Sequence, residues 1–205
     1  MTAPFAALPF EPRSDLAEGL RREWGRLARP GAMWDGRQRV AIAATARGGD
    51  GAEIPAAAVE AARTLYDHPA AIDAGAVDAV RGAGLTDAAY VEIVGVVSRL
   101  AAADTLLAAL GRAPEPLPEP VPGAPTGEVD LLARRTKGHV PMVGGASIVG
   151  ALSMVPAEAR AQRDLHGPLY LSYEQMDDLT LERGLDRTRM ELVASRTSAV
   201  NECFY

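Results

Sequence analysis

The sequence contains a single cysteine, Cys203, in 205 residues. No disulfide can close within the chain, and a reducing, cytoplasmic setting is the expectation. Aromatic residues make up only 5%. The core must therefore be built from Ala, Leu, Val and Met, and alanine, the best helix former, points to closely packed helices. No apolar run is free of charge over the length of a membrane span: the longest, 91–110, carries Glu92, Arg99 and Asp104. A basic patch interleaved with aromatics is missing, and the net charge is -6 with a pI of about 5.1, so neither a nucleic-acid partner nor a membrane is expected. The opening "MTAPFAALPFEP" lacks the basic region and apolar run of a signal peptide. His68, His139 and His166 are scattered, without a pair four residues apart or partner cysteines, so no metal site or cofactor is expected. "GGDG" and "VGGASIVG" follow no strand and carry no Lys-Ser/Thr, which makes them turns, not phosphate loops. The Gly-x-Ser-x-Gly elbow of hydrolases is also missing.

What is present is helical patterning. Ser14 or Asp15 can cap a helix through "LAEGLRREWGRLAR", which Pro30-Gly31 ends. "DGRQRVAIAATAR", "PAAAVEAARTLYDH" (with proline as initiator) and the weaker "PAAIDAGAVDAVRGAG" follow. In "TDAAYVEIVGVVSRLAAADTLLAALG", Tyr90, Ile93, Val94, Val97, Leu100 and Ala101 recur at helical spacing and predict one core face. Further on, "ASIVGALSMV", "PAEARAQRDLHGPLYL", "YEQMDDLTLERG" capped by Ser172, and a last helix capped by Asp186 are predicted. No alternating strand pattern exceeds a few residues, so the fold class is all-α.

Between the halves, "APEPLPEPVPGAP" places prolines at 114, 116, 118, 120, 122 and 125. Such a run blocks helix and sheet and favours polyproline II, reaching roughly 37 Å over a dozen residues. It reads as a stiff connector, with a recognition peptide for a proline-binding module as the alternative. The expected organisation is a first helical unit at 1–112, a linker at 113–126 and a second unit at 127–205. A short internal echo supports two diverged copies: "GLTDAAYVEIVG" from Gly84 and "GLDRTRMELVA" from Gly184 place Glu92 and Glu191 in the same frame.

The last helix carries an apolar stripe of Met190, Val193, Ala194, Val200 and Phe204, with Glu191 beside it and Cys203 twelve residues on. "MELVASRTSAVNECFY" resembles the signature of the carboxymuconolactone decarboxylase family, which includes the alkylhydroperoxidase D-like proteins. Glu191 and Cys203 match the first two positions of its Glu, eleven residues, Cys, two residues, Cys pattern, and Ser198 and Asn201 also fit. "LSMVP" and the first-half helix from Gly84 look like the two-unit, peroxidase-related members. The resemblance implies a helical bundle assembling into homo-oligomers, trimers or larger, with a thiol-reductant protein as a further partner. It implies peroxide reduction by two thiols, a Glu–His relay activating the second.

Here the second cysteine and the histidine beyond it are missing, so Glu191 is the expected relay carboxylate and Cys203 the expected resolving thiol. The chain reads as interrupted inside the motif and inactive in a dithiol cycle. Twelve residues of continuous helix rise about 18 Å, so a shared site needs a break between Glu191 and Cys203. Asn201 could supply it by capping a new helix whose N-terminus favours a thiolate at Cys203. The first unit, with no thiol and Asp104 twelve residues after Glu92, is expected to be redox-silent. The alternatives are a decarboxylase-type lyase acting on a small lactone acid, which needs no cysteine pair, and a non-catalytic helical scaffold.

Overall fold

Seven α-helices account for the regular structure in a computed structural model that describes residues 4, 5, 8, 11–145, 147, 148 and 150–203. They are α1 (Ser14–Leu27), α2 (Gly36–Ala46), α3 (Ala56–Asp67), α4 (Ala74–Gly82), α5 (Asp87–Ala109), α6 (Pro156–Leu169) and α7 (Arg187–Val200). Among the described residues there is no strand, only an isolated antiparallel bridge between Arg134 and Met142. The fold is all-α.

Local chemistry sets most boundaries. Asp35 opens α2 with a reciprocal cap: its carboxylate accepts from the Gln38 N–H while the Gln38 side chain accepts from the Asp35 N–H. Thr86, Asp73 and Asp186 cap α5, α4 and α7 in the simpler way, each accepting from the N–H three residues on. The predicted helix over "YEQMDDLTLERG" is reduced to one 3-10 turn, Tyr173–Gln175. The Asp178 carboxylate takes the N–H and hydroxyl of Thr180, a local turn that competes with helix. "ASIVGALSMV" does not form its predicted helix either, though Ala146 and Val149 lie outside the described residues. There, Ser147 Oγ accepts from the Gly150 N–H and Ser153 Oγ donates to the Gly150 carbonyl. Serine hydroxyls thus hold the backbone in turns.

The chain divides into two compact units, Met1–Leu165 and His166–Tyr205. The proline-rich stretch lies inside the first, not at the division. It is irregular, as its composition dictates, but it is a strap on the helices of its own unit. The N–H groups of Val121, Thr126 and Gly127 donate to the carbonyls of Ala28, Gly31 and Ala32. The Trp24 indole donates to the Pro116 carbonyl at 2.9 Å and Arg47 to that of Glu115 at 2.8 Å.

The first unit's core is formed by α2, α3 and α5, where Ala43, Ala58, Ala62 and Ile93 are fully or almost fully buried. Small residues on α2 and α3 let α5 lie close to both. The single core face expected for α5 is in fact almost a full circumference: Val91, Ile93, Val96, Val97 and Leu100 are buried, and so are Glu92, Arg99 and Asp104. An apolar helix covered on nearly all sides takes its charges inside with it, and those charges must find partners there.

Candidate functional site

The three buried charges of α5 organise the first unit's interior. Glu92, Gly95 and Arg99 stand three and four residues apart, which places them on one stripe of the helix. Asp104 faces elsewhere. It accepts from Arg47 through both carboxylate oxygens, at 2.9 and 2.5 Å, and from the Tyr66 hydroxyl at 2.7 Å.

On the Glu92–Arg99 stripe, α1, α2 and α6 each contribute charge. Arg39 of α2 donates through Nη1 to Glu92 Oε1 and, at 2.8 Å, to Glu158 Oε1 of α6. The Met33 N–H donates to Glu92 Oε2 at 2.6 Å. Arg99 Nη2 donates to Glu158 Oε2, and Arg99 Nε stands 3.2 Å from Glu23 Oε2 in an ion pair not aligned as a hydrogen bond. Arg26 closes the outer edge, reaching Glu23 and Asp164 at 2.5 Å each. Glycine makes the close approaches feasible: a methyl group on Gly31 would overlap Glu92 Oε1 and Arg39 Nη1, and one on Gly95 would overlap the Glu158 carboxylate.

The two carboxyl groups that share Arg39 are pushed in opposite directions. Burial raises Glu92 above its ordinary value, and the Arg39 guanidinium and Met33 N–H only partly offset it. Burial works against the Glu158 carboxylate too, but Arg99 and Arg39 together outweigh it and hold Glu158 below the ordinary range. Glu23 is raised by burial like Glu92. Arg39 is held charged: burial opposes its cation, but Glu158 and Glu92 more than compensate. A carboxyl inclined to keep its proton thus stands one guanidinium away from a carboxylate inclined to lose it, the arrangement that separates acid from base roles.

The residues expected from the sequence, Glu191 and Cys203, lie in the second unit. Glu191 is half-exposed on α7 and accepts from the Tyr170 hydroxyl at 2.6 Å and from Arg187 Nε at 2.8 Å. These contacts, the Tyr170 hydrogen bond first, lower its pKa. Cys203 is exposed. Asn201 is the C-terminal cap of α7, not the start of another helix, and the Cys203 N–H donates back to the Ser198 carbonyl at 2.9 Å. The peptide of Cys203 therefore closes the end of α7, where the dipole is negative. Of the expected apolar stripe, Met190 is buried whereas Val193 and Val200 are exposed, and Phe204 and Tyr205 lie outside the described residues. Among the described residues no group of three His, Cys, Asp or Glu could hold a metal ion, and no helix is long and apolar enough to cross a membrane.

The sequence singles out Glu92 for its echo with Glu191, Asp104 as the residue that stands twelve positions on where a thiol would be, and Arg99 only as an obstacle to a membrane span. Sequence reasoning missed Arg39, Glu158 and Glu23. The available signal was the seven-residue spacing of Glu92 and Arg99 within an otherwise apolar helix. Arg39 adds another, standing at core spacing from Ile42, Ala43 and Ala46 on α2. Comparison with protein-family models, with curated proteins and with solved structures finds no match for this chain.

Proposed function

We propose that the chemistry of this chain resides in the first unit and is acid–base chemistry at Glu92, not thiol chemistry. Within the resemblance read from the sequence, this is the decarboxylase-type lyase, which needs no cysteine pair. The observation that carries the reading is the opposed bias of Glu92 and Glu158 around their shared Arg39. Loss of carbon dioxide from a small lactone acid leaves an electron pair on carbon that must take up a proton. A carboxyl biased by burial toward its protonated form supplies that proton and regains it from water, and Arg39 steadies the charge left behind. Gly31 joins this cluster to an open cavity: its bare Cα lies against Glu92 and Arg39, and the residue also lines the cavity with Arg39 and Glu158. The test is carbon dioxide release from a panel of small lactone acids by the wild-type chain and by Glu92→Gln. Release that falls at least 10²-fold in the variant is expected; equal rates, or none in either, reject the reading.

A second reading, an alkylhydroperoxidase D-like thiol protein, is favoured by the exposure of Cys203. With one thiol no intramolecular disulfide can form, so a peroxide would oxidise Cys203 to a sulfenic acid, which an external thiol returns through a mixed disulfide. Peroxide consumption with a thiol reductant, lost in Cys203→Ser, is its signature.

A further inference from the structure

We propose that the cavity between the α1–α2 turn and the start of α6 is a binding site for a small oxyanion, a carboxylate or phosphate group. This goes beyond the proton chemistry assigned to Glu92 and rests chiefly on the arginines. Five arginines line a cavity of about 200 Å³: Arg26, Arg29, Arg39, Arg99 and Arg160. At about 30 Å³ per water, that is room for an oxyanion with part of its hydration shell.

Two of these arginines are buried and incompletely satisfied. Arg39 is 2% and Arg99 7% exposed, yet Arg39 Nε and Arg99 Nη1 have no hydrogen-bond partner. Both nitrogens are themselves shut off from solvent, so an anion in the cavity meets these two arginines through their charge rather than through a new hydrogen bond. The outer two are free of their own ion pairs: among the described residues neither Arg29 nor Arg160 contacts a carboxylate, and both are exposed. Ala157, in the first turn of α6, also lines the cavity, and its N–H donates to no group among the described residues. The start of α6 adds the positive end of its dipole.

The one carboxylate on the wall, Glu158, has both oxygens engaged by Arg39 and Arg99. Counting the carboxylates behind the wall, Glu23, Glu92 and Asp164, five cations face four acidic groups. Two of those four, Glu23 and Glu92, are biased by burial toward their neutral forms. The balance is positive, with donors disposed around one space. Planar guanidiniums fit both carboxylate and phosphate oxygens, and lysine is missing from the set.

The experiment is isothermal titration of the full chain at low ionic strength with inorganic phosphate and, separately, with succinate. Saturable one-to-one binding of at least one of them is expected. Arg29→Gln and Arg160→Gln change exposed groups with no partner to lose, so folding is unaffected, and each should weaken binding about tenfold. Arg112→Gln, at an exposed site away from the cavity, serves as the control and should bind as wild type. Absence of binding by both anions, or equal affinity in the Arg29, Arg160 and Arg112 variants, overturns the proposal. Because binding is read without turnover, its outcome is separate from that of the lyase assay.

Discussion

Arg39 and Glu92 stand 53 positions apart in the chain and meet in the interior, guanidinium to carboxylate, with side-chain exposures of 3% and 0%. Taking two such charges out of water costs several kcal/mol each, which their attraction and added hydrogen bonds must offset. The pair is therefore sensitive to anything that spoils its geometry while leaving the charges buried.

Gly31→Ala does this directly, because the added methyl overlaps both partners. The expected loss is about 1–3 kcal/mol, the scale of an overpacked core. Gly25, in the interior of α1 with open space around its Cα, gives the contrast: Gly25→Ala should stabilise by roughly 0.5–1 kcal/mol. Urea denaturation of both variants measures the difference. Equal effects would mean that glycine at 31 is not required by the pair.

The two carboxyls that share Arg39 should tolerate neutralisation unequally. Glu158→Gln leaves Arg39 and Arg99 without the carboxylate that both use and should cost about 3–5 kcal/mol. Glu92 is already biased toward its protonated form, and Gln keeps an acceptor for the Met33 N–H. Its replacement should cost only about 1 kcal/mol. The reverse order in denaturant unfolding would show that the biases assigned to them are exchanged.

The pH dependence follows with opposite signs. Glu92 is raised in the folded state, so its contribution is fully present below the ordinary value of 4.5 and is lost as pH rises through its folded value above that. Glu158 is lowered, so its contribution is present above 4.5 and is lost as pH falls through its folded value below that. In Glu92→Gln the decline of stability on the alkaline side of 4.5 should shrink. Thermal unfolding of wild type and variant from pH 4 to 8 measures it, and parallel curves would remove Glu92 as the source.

At the other buried charge of α5, the Tyr66 phenol is pushed up to about 12 by burial and by its hydrogen bond to Asp104. Asp104→Asn removes the repulsion between phenolate and carboxylate, and Tyr66 should titrate closer to its ordinary 10.0. The ultraviolet titration, read as a difference between wild type and Tyr66→Phe in each background, isolates this group. An unchanged value would leave burial as the whole cause.

Much of the fold was legible because helix formation is local. Asp35, Thr86 and Asp186 cap through side chains three residues from their donors, and the apolar spacing of α5 marks a helix by itself. Where serine and aspartate side chains competed for the backbone, as at Ser147, Ser153 and Asp178, the periodic pattern overstated helix. The proline run fixed its own irregular conformation but not its place. The carbonyls of Ala28, Gly31 and Ala32 at the α1–α2 turn, together with the side chains of Trp24 and Arg47, make it a strap on the first unit. Composition likewise placed Glu92, Arg99 and Asp104 in an apolar helix without saying whether water or protein would surround them. That was decided by tertiary packing, which brought Arg39 across 53 residues and Glu158 across 59 to the stripe on α5. Burial and the partners it supplies set the proton affinity of a carboxyl. Neither is a property of the residue or of its neighbours in sequence.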